Sequence, residues 1–296
     1  MKYRLLILAL CAAMLGCGRT APKDTDKYET LRNDIRAIAD SIDGELGVAV
    51  IFPNGDTMTF GNETDYPMMS VVKFPQALAV CDLLRKEGRS LTDTLMVTKQ
   101  NLEPGTWSPL REEFPNGGQF SIERLLYYSL ALSDNNVCSV LFDSICGVAE
   151  TQKFVDSIGI EGFKISQDER MMAANMENCY LNSANPLGVA RLFEYLYAYR
   201  AENKTIWDIM ANCQTGLERI PKGIEDAEVV HKTGTSGMRA DGRLIAINDA
   251  GVVVLPDGRH YSLAVFVKDA RMEPQQAEEV IARVARKVNE WVVRVK

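Results

Sequence analysis

The chain has 296 residues, 46% of them apolar and 25% charged, which is enough to bury the core of one large domain or two modest ones and too apolar for a disordered chain. With 33 Lys and Arg against 40 Asp and Glu the formal charge is −7, and no Lys/Arg cluster stands out. Nucleic-acid binding is therefore not expected.

Residues 1–16 (MKYRLLILALCAAMLG) carry Lys2 and Arg4 and then a short apolar run, too short to span a bilayer as a mature helix; they read as a signal peptide. Gly16-Cys17-Gly18 follows, an arrangement similar to a bacterial lipobox. That resemblance implies cleavage before Cys17, lipidation of Cys17, and an exported, periplasmic protein that touches the membrane only through its lipid. Residues 17–27 are polar and read as a tether. Seven cysteines occur, at 11, 17, 81, 138, 146, 179 and 213. Without Cys11 and Cys17 five remain, so at least one thiol is free. Cys138 and Cys146, eight residues apart on one predicted helix, are separated by about 12 Å of rise and cannot bridge each other. With no CxxC and only His231 and His260 as imidazoles, a metal site is not expected.

From Tyr28, the residues Leu31, Ile35, Ile38 and Ile42 recur at helical steps, so a helix lays one face on a core and stops at Gly44. Leu46 to Phe52 and Thr57 to Phe60 flank Pro53-Asn54-Gly55-Asp56, a hairpin signal. The stretch from about 69 to 215 reads as helical throughout. Beyond it lie β-rich runs near Val229 to Thr233, Leu244 to Leu255 and Tyr261 to Val267, the last two separated by a Pro256-Asp257-Gly258 turn. A final helix opens with Pro274 in its first turn and carries Val280, Val284, Val288, Trp291 and Val295. The expected fold is α+β in two lobes. One lobe (28–68 and 216–296) is an antiparallel sheet flanked by the terminal helices, the other (69–215) is all helical, and a cleft lies between them.

Three short motifs fall along this plan. Ser70-Val71-Val72-Lys73 puts a hydroxyl and an amine on one side of a helix, with the positive dipole end aimed at the serine. Pro75, tolerated only early in a helix, supports a start near Ser70. A neutral amine or a nearby carboxylate can take the serine proton, so the pair is a candidate activated nucleophile. Alone it means little, since about one such spacing arises by chance in a chain of this size. Ser133-Asp134-Asn135 is, alone, a helix–helix loop with Asp134 or Asn135 as a cap. Lys232-Thr233-Gly234 ends a strand, where the small Gly234 lets another backbone approach. Each tripeptide arises in roughly one random chain in twenty; their joint occurrence, in this order, is the signal.

SxxK, SDN and KTG in this order resemble the set of class A serine β-lactamases and penicillin-binding proteins. The class A resemblance extends over essentially the whole mature chain. Residues 68–77 are most similar to its extended-spectrum, anaerobe-associated branch. The resemblance implies a β-lactamase/transpeptidase-like catalytic domain over 28–296, acting as a monomer without cofactor on a small-molecule β-lactam. Ser70 would be the nucleophile, Lys73 or Glu169 its base, Ser133 a proton relay and Glu169 the base of deacylation, on an omega-shaped loop. Asp168 is the rival for that last role. Asn135, Lys232, Thr233 and Gly234 would bind substrate, and Trp107 would wall the cleft entrance. Thr235 would give the second oxyanion N–H beside that of Ser70. Where relatives hold a polar residue near the deacylating water this chain has Ala173, and an arginine and aspartate that pin the loop ends are replaced by Gln167 and Asn182. Arg239 and Arg243 are both candidates for the substrate carboxylate.

Three alternatives are weighed. A penicillin-binding D,D-peptidase shares the three motifs but typically lacks the loop acid, so Glu169 discriminates. A penicillin sensor that stays acylated fits Ala173, yet such proteins usually carry transmembrane segments. A Ser-His-Asp esterase is weakest, because no G-x-S-x-G exists and neither histidine has triad context.

Overall fold

The computed structural model describes residues 27–295; the expected signal peptide, Cys17 and the tether as far as residue 26 lie outside the described residues. The N-terminal helix, Glu29–Ala39, buries Leu31, Ile35 and Ile38; it ends earlier than Gly44, and Ile42 packs on the same core from the following turn. The C-terminal helix, Pro274–Arg294, buries Val280, Val284, Val288 and Val292, with Glu273 and Gln276 forming a capping box around Pro274. Val295 is exposed beyond its end, so the apolar stripe stops one turn short of the expected position.

Both helices lie on one face of a five-stranded antiparallel sheet, in the order Thr57–Phe60, Glu45–Ile51, His260–Ala270, Leu244–Val254 and Glu228–Thr235. The two ends of the chain meet at its centre, where Glu45 pairs with Lys268 and Ile51 with Ser262. The central strands are buried along nearly their whole length, because the other face is covered too. There the helix Pro186–Ala198 packs, and its Phe193 ring lies 4.4 Å from that of Phe74 on the helix Lys73–Glu87 behind it. Lys73 to Cys81 are buried without a break, as expected of a helix apolar on all sides. Burial of each phenylalanine is worth about 2–3 kcal/mol.

The middle of the chain is not wholly helical. Thr94–Thr98 and Gly117–Ser121 form a hairpin, and Tyr66–Pro67, Ser183–Ala184 and Phe163–Lys164 form a second small sheet. Two-residue strands carry no periodicity, and Thr94-Leu-Met-Val-Thr is stabilised by its partner more than by its own pattern. The five cysteines from Cys81 to Cys213 are all free and buried. Cys138 lies in the helix Asn135–Ser144, whereas Cys146 follows that helix rather than sharing it. Among the described residues no helix is long and apolar enough to cross a membrane.

Candidate active site

Ser70 sits in a single 3-10 turn, Met69–Val72, that runs directly into the buried helix Lys73–Glu87. In such a turn residues three apart eclipse, and Lys73 Nζ lies 2.7 Å from Ser70 Oγ. Pro75 is the third residue of the α-helix, where its missing N–H costs nothing. Met69 is forced to φ 49° and Ser133 to φ 59°. Two of the four described non-glycine residues with positive φ thus belong to the site, each storing about 1–3 kcal/mol of strain that the surroundings must hold.

The sheet holds the turn from below. Asn248 Nδ2 donates to the carbonyls of Pro67 at 2.7 Å and Met68 at 3.2 Å. A side chain on Gly234 would place its Cβ 2.4 Å from Met68 O, so glycine is what lets the strand end touch the turn that carries Ser70.

Lys73 is fully buried and donates to Ser70 Oγ, to Ser133 O at 3.2 Å and to Asn135 Oδ1 at 2.6 Å. Ser133 Oγ accepts from Lys232 Nζ at 3.0 Å. Burial, with the Lys73 and Arg219 charges adding to it, brings Lys232 down to about 7, although Cys213 and Asp249 pull the other way. Asp134 is the cap of the helix Asn135–Ser144, accepting from Val137 N, and its carboxylate also takes Leu110 N and Ser108 Oγ. The structural cap is therefore also the clamp that fixes the Trp107 loop. Trp107 Nε1 donates to Leu132 O at 2.8 Å while the ring stays 58% exposed at the cleft mouth.

The strand Glu228–Thr235 is an edge of the sheet. Ser236 N–H donates into the ladder, to Ala246 O at 2.9 Å. Alternate amides point to opposite sides, so the Thr235 N–H leaves the outer edge. Beside it stands a residue that sequence reasoning missed. Arg219, 4% exposed, donates to Thr235 Oγ1 at 2.7 Å and to the carbonyls of Gly234 and Asn248, and pairs with Glu278. Arg239 and Arg243, the two arginines expected from sequence, do not line the cleft. Arg239 pairs with Glu177, Asp241 and Asp269, and Arg243 with Asp43.

Glu169 opens the short helix Glu169–Ala174, and Asp168 is its cap, accepting from Met171 N at 2.7 Å. The two adjacent carboxylates therefore point differently. Asp168 turns to Arg170, which also pairs with Asp143, whereas Glu169 Oε1 lies 2.9 Å from Lys73 Nζ. That oxygen is buried and receives no aligned hydrogen bond. The loop ends are pinned by Asn182, whose side chain accepts from the N–H groups of Ser166 and Gln167 and donates to Gln167 O, all at 2.8 Å. Three bonds to backbone thus hold the loop ends together, with Gln167 contributing its main chain.

A cleft of about 400 Å³ is lined by Ser70, Trp107, Ser133, Asn135, Thr215, Thr233 and Thr235, within the range of small-molecule sites. On the far side of Ser70 a smaller cavity of about 180 Å³ is lined by Glu169, Ala173 and the apolar Met69, Met172 and Met176. The structure thus gathers four distant segments around Ser70, with the Ser70 hydroxyl and the Glu169 carboxylate against one lysine nitrogen.

Comparison with known proteins agrees with this geometry. Residues 30–292 match the model of the β-lactamase enzyme family. A β-lactamase of Phocaeicola vulgatus is 35% identical over 279 residues, covering 90% of this chain and 87% of that protein. The crystal structure of the TLA-3 extended-spectrum β-lactamase superposes with a TM-score of 0.88 at 30% identity, over 90% of this chain and 99% of that one. A class A β-lactamase from Bacteroides cellulosilyticus gives 0.86 at 30% identity, over 90% and 98%.

Proposed function

The chain belongs to the class A β-lactamases and is a serine hydrolase that opens the lactam ring of β-lactam antibiotics; from that premise we propose how its own residues carry the reaction. The observation that carries the proposal is the placement of Ser70 Oγ and Glu169 Oε1 at 2.7 and 2.9 Å from Lys73 Nζ. A single water can bridge the serine and the carboxylate across that distance.

Two routes can take the Ser70 proton: the Glu169 carboxylate, whose Oε1 faces the Lys73 nitrogen, through one water, or a neutral Lys73 amine directly. Either route delivers a serine alkoxide to the lactam carbonyl, whose developing charge is met by the N–H groups of Ser70 and Thr235. Ser133, bound to Lys232, passes a proton to the departing lactam nitrogen. Asn135 holds the side-chain amide of the substrate, and Thr233 and Lys232, backed by Arg219, hold its carboxylate. Gly234 keeps the strand against the nucleophile, and Trp107 covers the entrance. Glu169 then draws a proton from water, which attacks the acyl-enzyme and frees Ser70.

Steady-state kinetics on a penicillin and a cephalosporin test this scheme. Continuous turnover is expected, with Arg219→Ala raising KM for both about tenfold, the worth of a hydrogen bond between charged groups. One product per chain followed by arrest would mark a slowly deacylating sensor instead.

Class A enzymes are typically exported. We further assign residues 1–16 as signal peptide, 17–27 as tether and 28–296 as the catalytic domain, with lobes 28–68 plus 216–296 and 69–215. The protein would be a periplasmic monomer anchored through lipid on Cys17. Cys17→Ser is then expected to move the enzyme from the membrane fraction to the soluble one; unchanged fractionation would refute the anchor.

A further inference from the structure

Behind the cleft lies a buried cluster of titratable groups that hydrolysis does not use. Asp249 is directly opposite Thr233 in the sheet and His231 precedes Thr233 by two residues, so all three share one face. His231 Nδ1 meets the Asp249 carboxylate at 2.9 and 3.1 Å, and Ile220 N donates to the same carboxylate at 3.0 Å. Opposite His231 stands Gly251, where a Cβ would come within 2.8 Å of the His231 Cβ; the strand is bare at the point where the imidazole needs room. The Cys213 thiol is buried close enough to this ring for the His231 charge to act on it. Burial alone would raise that thiol, but His231, with Lys232 adding to it, brings it down to about 7.

A hydroxyl chain leads from this sulfur to the cleft. Cys213 Sγ lies 3.4 Å from Thr215 Oγ1, and Thr215 Oγ1 lies 2.7 Å from Thr233 Oγ1. Thr215 and Thr233 both line the cleft. Each hydroxyl has one proton. The sulfur's own proton, when present, has the carbonyls of Thr215, Ala131 and Leu130 as acceptors. The sulfur therefore accepts from Thr215. Thr215 in turn accepts from Thr233, and the Thr233 proton points away from substrate. When Thr233 donates to a carboxylate the Thr215 proton must reverse.

We propose that Cys213 is a positioning residue for substrate-carboxylate recognition, setting through Thr215 the direction in which the Thr233 hydroxyl donates. This rests on the reading of Thr233 as a carboxylate ligand given above. Removing the sulfur leaves the Thr215 proton free to turn toward Thr233 and releases the Thr233 proton to substrate. A structural role predicts the opposite sign.

The test is the KM and kcat of the full-length enzyme on one penicillin as its free acid and as its methyl ester. Cys213→Ala is expected to lower KM for the acid about fivefold, roughly the value of one hydrogen bond, with kcat and the KM of the ester little changed. Cys213→Ser, which keeps the volume and does not ionise, should move KM the same way by less, should Cys213→Ala fold poorly. Thr233→Val should raise KM for the acid alone. If Thr233→Val raises it and neither Cys213 variant lowers it, the inference is overturned and the carboxylate role of Thr233 stands. If Thr233→Val changes nothing, that role and the inference fall together.

Discussion

Ser70→Ala is expected to cut turnover of a chromogenic cephalosporin by about 10⁴-fold or more, the scale seen when an activated serine is removed from a site whose other groups remain. Stability should change little. The hydroxyl is one of several partners of Lys73, which keeps Ser133 O, Asn135 Oδ1 and Glu169 when Ser70 Oγ goes. No buried charge is left unpaired, which is the step that makes such deletions costly. Thermal melting within a few degrees of the parent, together with lost turnover, is the expected pair of results. Retained turnover would refute the assignment of the nucleophile, and a collapsed melting temperature would show that the turn Met69–Val72 depends on the hydroxyl for its fold.

The chemistry of this site was legible in the sequence where it depends on local spacing. Ser70 and Lys73 meet because three residues make one turn, and Asp134 reads as a cap because a cap is set by its immediate neighbours. Asp168 and Glu169 remain rivals in the sequence; the fold separates them by making Asp168 the cap of the helix that Glu169 opens. Long-range residues were not legible. Arg239 and Arg243 both follow the KTG motif in sequence, yet the chain turns back between them, with Met238 bridging Leu244, and carries their guanidinium groups to Asp269 and Asp43. Arg219 reaches Thr235 from the segment before the strand, a contact fixed only when that segment is laid across the sheet edge. Asn248 is equally silent in sequence, being one of two polar residues in an otherwise apolar strand. Its role depends on the register that sets it opposite Gly234. The hairpin at 94–98 and 117–121 failed for a related reason, because a strand stabilised by its partner carries a weak pattern of its own.

Glu169→Gln isolates the second half of the reaction. The amide matches the carboxylate in volume and keeps an oxygen beside the Lys73 nitrogen, so the geometry around Ser70 should persist, but it cannot remove a proton from water. General-base catalysis contributes about 10²–10⁴-fold, and deacylation is expected to slow on that scale. The acyl-enzyme then accumulates, visible as a mass increase of one opened β-lactam on the intact chain. The fate of the first step distinguishes the two acylation routes. An adduct that forms rapidly means that Lys73 alone can take the serine proton, since the variant has no carboxylate to do so. Loss of turnover without an adduct means that Glu169 is the base in both steps, acting through water each time. Undiminished turnover with no adduct would remove Glu169 from the mechanism. Asp168→Asn is the matched control. Its amide oxygen can still cap Met171 N but has no charge for Arg170, so it should loosen the loop and lower the melting temperature without trapping the acyl-enzyme. Two neighbouring carboxylates, one buried against Lys73 and one facing an arginine, are thereby separated by what accumulates rather than by how much activity is lost.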